Sequence, residues 1–213
     1  MDCQENRDAG DDAGPRLCFS LRGALITRFF PLLQQGVMVR TGVGCSVRLF
    51  LSEELGLSDK TIEDIQSLFL DGRPVDDLEA AVIKDGSVLA LSAAMPGLVG
   101  ATLRRGGAYS SFRNTITYRE TSDHCSSGEG LVQVKVFNLL MAGIGPGLLG
   151  RGVYVRSVDM ADFLGALPQD FWAACDGIFI NGKPVTPEVL KGNAWTGGHD
   201  RVMLSIKKQQ EVA

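Results

Sequence analysis

The chain has 213 residues, 45% of them apolar and 22% charged, a balance that excludes a mostly disordered polypeptide and fits one large domain or two small ones. Its formal charge is −4, and five acids against two arginines in residues 1–16 leave the rest of the chain at net −1, without the basic footprint that broad nucleic-acid binding needs. Glycine is the outlier, with 26 residues, about 12% against a usual 7%.

Residues 1–15 are polar and acidic, with Gly10, Gly14 and Pro15. They read as a disordered arm and lack the basic start and apolar stretch of a secretory signal. A first strand follows, alternating through Leu17, Phe19 and Leu21. A glycine-bearing connection leads to a second strand at Val37–Arg40. Ser46 then caps a helix carrying Val47, Phe50 and Leu51 on one face. A short strand ends in the turn Leu70-Asp71-Gly72, and Ser87–Ser92 forms the last strand of this half. A glycine-rich extension, beginning Met95-Pro96-Gly97-Leu98-Val99-Gly100, runs to Gly107. Residues 108–130 read as a linker, with room for one extra strand at Thr115–Tyr118 and a polar stretch over 119–130.

The order then repeats. A strand alternates through Val132, Val134 and Val136, and a connection with five glycines spans Gly143–Gly152. A second strand covers Val153–Arg156. Asp159 precedes Met160, Phe163, Leu164 and Leu167 at helical spacing, Ile180-Asn181-Gly182 marks a second tight turn, and Arg201–Lys207 closes the half before a tail at 209–213. Three blocks match in order between the halves. Leu32-Leu33-Gln34-Gln35-Gly36-Val37-Met38-Val39-Arg40 matches Leu148-Leu149-Gly150-Arg151-Gly152-Val153-Tyr154-Val155-Arg156. Phe69–Val75 matches Phe179–Val185, and Val88–Leu91 matches Val202–Ser205. The pattern reads as an internal duplication. The expected fold is α+β, two tandem units at 16–107 and 131–208, each a small mixed sheet crossed by one helix.

These residues carry a family resemblance. Val134-Lys135-Val136-Phe137 with Leu140, Ile180-Asn181-Gly182-Lys183-Pro184-Val185, Arg201-Val202-Met203-Leu204 and Lys84-Asp85-Gly86-Ser87-Val88 are similar to motifs of the ubiquitin-like β-grasp fold. They resemble above all its sulfur-carrier branch, the molybdopterin-synthase small subunit and the thiamine sulfur carrier. The resemblance implies two ubiquitin-like β-grasp units. In that family a C-terminal Gly-Gly is adenylated and carries sulfur, whereas this chain ends Lys207-Lys208-Gln209-Gln210-Glu211-Val212-Ala213. An internal Leu103-Arg104-Arg105-Gly106-Gly107 is similar to ubiquitin's tail, but the chain continues past it.

The remaining motifs are sparse. Gly145, Gly147 and Gly150 match G-x-G-x-x-G, but Pro146 removes an amide and a strand follows at once. The stretch therefore reads as a wide hairpin connection, not a nucleotide loop. Arg104, Arg105 and Arg113, with Tyr109 and Phe112, form the densest basic cluster, expected as a solvated loop. His124 and His199 sit in polar linker and turn sequence and are not expected to catalyse. Cys3, Cys18, Cys45, Cys125 and Cys175 form no C-x-x-C, which points to reduced thiols, a cytoplasmic setting and no metal. The uncharged run Val136–Gly150 is too short for a membrane span. No catalytic residue and no cofactor is expected. The expected function is non-catalytic binding of a protein partner, or self-assembly, with no membrane or nucleic acid. The preferred surface is the sheet face opposite the helix, and Arg104, Arg105, Gly106, Gly107, Gly145, Gly147, Gly150 and Arg151 are candidate ligand or partner contacts. The alternatives are a small-molecule site between the two units, possibly enzymatic, and a degenerate sulfur carrier.

Overall fold

The computed structural model describes residues 14–93, 95–113, 115–119 and 128–209. The fold is mixed α/β, with ten strands and seven α-helices among these residues. In chain order they are β1 (Arg16–Arg22), α1 (Phe30–Gln35), β2 (Val37–Val43), α2 (Val47–Leu49), α3 (Asp59–Glu63), β3 (Ser67–Leu70), β4 (Arg73–Pro74), β5 (Val88–Ser92) and α4 (Gly97–Leu103). Then come β6 (Gly128–Phe137), α5 (Leu140–Arg151), β7 (Val153–Arg156), α6 (Ser157–Gly165), α7 (Gln169–Ala174), β8 (Gly177–Ile180), β9 (Lys183–Pro184) and β10 (Arg201–Gln209).

The chain forms two compact units, one continuous (Leu33–Leu148) and one discontinuous, which joins the residues up to Leu32 to those from Leu149 onward. This partition differs from the consecutive stretches 16–107 and 131–208 expected from the repeat. Strand β1 belongs with β7–β10, and β6 belongs with β2–β5. The physical reason lies in the connections that follow these two strands. A two-residue turn would force each to pair with its successor. Instead a 3₁₀ turn (Gly23–Phe29) running into α1 follows β1, and α5 follows β6. A helical connector imposes no such pairing.

The continuous unit has strand order β4-β3-β5-β6-β2, in which β5 and β6 run parallel and every other pair is antiparallel. Register places the apolar residues in rows on one face: Leu70, Leu89, Val134 and Val37 lie side by side, as do Leu68, Leu91 and Val136. All seven are buried. Val47, Phe50, Leu51 and Ile62 complete this core at zero exposure, each such side chain stabilising by roughly 1.5–3 kcal/mol. Ser46 Oγ accepts the Leu49 amide at 3.2 Å, as the sequence indicated, and Ser58 Oγ accepts that of Thr61 at 3.2 Å.

The discontinuous unit has strand order β7-β10-β1-β8-β9, with β1 and β10 parallel and both flanked by antiparallel neighbours. Leu17, Phe19, Ile178, Val202, Leu204 and Ile206 are buried there. Phe19 packs 5.1 Å from Phe29 and 6.2 Å from Phe171. The two tight turns correspond closely. Asp71 and Asn181 both adopt positive φ, at 51° and 50°, each followed by a glycine, as a two-residue primed hairpin turn requires. Asp71 Oδ1 accepts the Val88 amide at 2.7 Å, and Asn181 Oδ1 accepts the Arg16 amide at 2.9 Å. The strand entering beside the turn is thus β5 in one unit and β1 in the other.

Three further expectations change. Gly143–Gly152 is not a hairpin connection but lies in α5 and the residue after it, with Leu140, Ile144, Leu148 and Leu149 buried at helical spacing. Pro146 lies inside this helix and removes one of its amide donors. The helix expected after Asp159 starts before it: α6 begins at Ser157 after Arg156, whose guanidinium binds the Asp159 carboxylate at 2.7 Å through two nitrogens. Thr115–Tyr118 forms turn and coil rather than a strand. The acidic arm up to residue 13, the linker over 120–127 with His124 and Cys125, Cys3, and the tail from residue 210 lie outside the described residues. Among the described residues no helix is long and apolar enough to cross a membrane.

Because β1 is an interior strand of the sheet in the discontinuous unit, removing residues 1–22 is expected to open 153–209 to protease while 37–118 stays protected. Limited proteolysis with mass mapping reads this directly, and cleavage confined to 37–92 would contradict the strand assignment.

Candidate functional site

The site is built by the extension that follows β5. Gly97, at φ 75°, opens α4. Gly100 is buried, and a Cβ there would lie 1.7 Å from the Met95 carbonyl oxygen, so nothing larger than glycine fits. Arg104 leaves the helix in extended conformation, and a 3₁₀ turn spans Ser110–Arg113.

Arg113 fastens this segment. It is 4% exposed, which is unusual for arginine. Its guanidinium donates to Asp76 Oδ2 at 2.9 Å and Oδ1 at 2.6 Å, to the Thr102 carbonyl at 2.7 Å, to Thr117 Oγ1 at 3.0 Å and to the Arg104 carbonyl at 3.2 Å. All five N–H donors are therefore satisfied. The Arg105 amide donates to the Gln66 carbonyl at 2.7 Å, the Gly106 amide to Asp76 Oδ1 at 3.1 Å, and the Tyr118 amide to the Pro74 carbonyl at 2.8 Å. The Arg105 guanidinium is half-buried and reaches the Ile62 carbonyl at 3.2 Å. Burial pulls its pKa below the ordinary value and Arg48 adds to this, against the charges of Asp76 and Glu63. The cluster expected as a solvated loop is a docked one, and Arg104-Arg105-Gly106-Gly107 is bonded into it rather than extended as a tail.

Between the start of β3 and this extension lies a cleft of about 330 Å³. Gln66 and Ser67 line it on the strand side; Met95, Gly97, Gly100, Ala101, Arg104, Ala108 and Tyr109 line it on the other. Arg104 Nη2 donates to Gln66 Oε1 at 2.5 Å. The Ser67 hydroxyl is buried and has no hydrogen-bond partner among the described residues. Tyr109 stacks on Phe112 with ring centroids 6.0 Å apart. Leu98, Val99, Tyr109, Phe112 and Ile116 are all exposed, Phe112 and Leu98 at 79% and 73%. They make up five of the nine large apolar side chains exposed among the described residues.

Of the candidate residues, Arg104, Arg105 and Gly106 meet around Gln66 and Asp76, and Gly107 closes the turn by donating to the Arg104 carbonyl at 3.1 Å. Gly145, Gly147, Gly150 and Arg151 ride on α5, and none of them lines this cleft. Gln66, Ser67 and Asp76 were not singled out by the sequence, which carries no local signal for them. A second cleft, of about 500 Å³, lies in the discontinuous unit beside Ser157 and His199. There Ser157 donates to the His199 carbonyl at 2.5 Å, and Arg156 is engaged by Asp159. Among the described residues no three His, Cys, Asp or Glu side chains gather as a metal site. Cys18, Cys45 and Cys175 are free thiols. Burial pushes the pKa of Cys45 and Cys175 up, with Glu54 and Asp176 respectively adding to it and backbone hydrogen bonding opposing it. No known protein family, characterised protein or solved structure matches the chain.

Replacing Arg113 by Ala strands Asp76 and three other acceptors, so unfolding in urea is expected to show a loss of about 2 kcal/mol or more. Arg113→Lys should recover little of it, because an ammonium cannot reproduce the five-donor fork. At Cys45 and Cys175 the raised pKa keeps the thiols protonated through neutral pH. Peptide-resolved alkylation is expected to be slower at both than at a free cysteine at pH 7.5, and to rise as pH passes above the ordinary thiol range.

Proposed function

We propose that this chain is a non-catalytic protein-binding protein, built from two ubiquitin-like β-grasp units that arose by duplication. A mixed five-stranded sheet with a parallel pair among its interior strands recurs in each unit, with a matched Asp-Gly or Asn-Gly turn, and this supports the β-grasp reading. The free thiols fit a reducing, cytoplasmic compartment.

One observation carries the binding function: the exposed apolar side chains concentrate on the docked extension. Such concentration marks an interaction surface, whereas scattered exposed hydrophobics are ordinary. Residues 95–119 also hold four arginines and no acid, so the complementary partner is a protein with an apolar contact edged by carboxylates. The open sheet face of the continuous unit mixes Arg40, Gln133 and Lys135 with Met38 and Phe137, and is the weaker candidate.

Photo-crosslinkable residues placed at Leu98 and Phe112 in native cells are expected to trap one defined protein species, and the same probe at exposed Lys191 is not. Sedimentation of the purified chain shows whether that species is a second copy. Equal trapping at all three positions, or none, would overturn the reading.

A further inference from the structure

The cleft between Gln66–Ser67 and the extension has the composition of a small-ligand site. Its volume of about 330 Å³ lies at the lower end of the range for such pockets, roughly 300–1,000 Å³. Met95, Ala101, Ala108 and the Tyr109 ring give it apolar walls. Two polar groups point to what it takes. Arg104 meets no carboxylate among the described residues, and its guanidinium is held at one nitrogen by Gln66 Oε1. That leaves the other donors of the fork for an anion. Ser67 lines the cleft at 1% exposure, and its hydroxyl finds no partner among the described residues, a cost that a ligand oxygen would remove.

From this the geometry points to a carboxylate-binding pocket: the cleft takes a monocarboxylate on a compact apolar body, its oxygens on Arg104 and Ser67 and its body against Met95, Ala101 and Tyr109. One cation and one hydroxyl match a single negative charge, whereas a phosphate dianion calls for more donors than the cleft supplies. The acid is either a free small molecule or the carboxyl end of a chain. The pocket shares Tyr109 with the protein-binding surface, whereas Leu98, Val99, Phe112 and Ile116 do not line it.

The test is amide NMR of the full-length ¹⁵N-labelled chain, titrated with 3-phenylpropionate and, in parallel, with 3-phenylpropionamide. The acid is expected to give saturable shifts at Gln66, Ser67, Gly100, Arg104 and Ala108, and to bind about tenfold or more tightly than the amide. Arg104→Gln should abolish that preference with the rest of the spectrum unchanged, and Ser67→Ala should weaken the acid severalfold. Acetyl-Ala-Ala-Phe with a free or an amidated end separates the sources: tighter binding than phenylpropionate, lost on amidation, assigns the pocket to a chain terminus. Equal binding of acid and amide, no saturation at millimolar concentration, or an acid preference that survives Arg104→Gln would overturn the proposal, while leaving the crosslinking result untouched.

Discussion

A strand that is followed by a helix is free to pair far from its successor, and much of this fold follows from that freedom being used twice. Both β1 and β6 are alternating apolar strands that must bury one face. Neither is tethered by a tight turn. In each unit the strand supplied by the other half becomes an interior member of a parallel pair, β1 beside β10 and β6 beside β5. Interior strands carry much of a small sheet's burial, so each half-sequence lacks the centre of its own core. Leu17 and Phe19 fill the core of β8 and β10, whereas Val132, Val134 and Val136 fill that of β2 and β5. The cost is kinetic. Arg16 pairs with Met203 across nearly the whole chain, and such non-local contacts repay loop closure late.

The same economy of means appears in the extension. It has few apolar side chains turned inward, and among its larger residues Arg113 is the buried one. A segment without its own core can be held by a saturated polar centre instead, provided every donor is met; a partly satisfied guanidinium would cost more than it contributed. Asp76, Thr102, Thr117 and the Arg104 carbonyl meet that requirement. The apolar side chains of the segment are then left for solvent or a partner.

Much of the secondary structure was legible, because it rests on local signals. The alternation of Leu17, Phe19 and Leu21, the cap at Ser46 and the Asp71-Gly72 and Asn181-Gly182 turns all express constraints within a few residues. Helix α5 was legible too, in the spacing of Leu140, Ile144, Leu148 and Leu149, but the four glycines and the proline within it are stronger local signals of a connection. Strand partnership was not legible. Nothing in Leu17–Leu21 distinguishes pairing with β10 from pairing with β2, since an apolar face fits either core. The site was legible only in half: the arginines and aromatics stood out as a cluster, but Asp76, 37 residues from Arg113, and Ser67, one serine in an apolar strand, acquire meaning only from the fold.

That fold also sorts the four arginines of the extension, which sequence treats alike. Arg113 is consumed entirely in holding the segment. Arg105 is half-buried, bonded to the Ile62 carbonyl and shifted below its ordinary pKa by that burial. Arg119 lies beyond the turn that Arg113 closes and outside the cleft. Arg104 alone lines the cleft, and it is steadied from both sides, its side chain by Gln66 and its carbonyl by Arg113. An arginine fixed at one nitrogen and at its own backbone loses less rotamer freedom when an anion arrives. The structural arginines therefore do more than pin a loop: they set the orientation of the one guanidinium that is left with donors to offer.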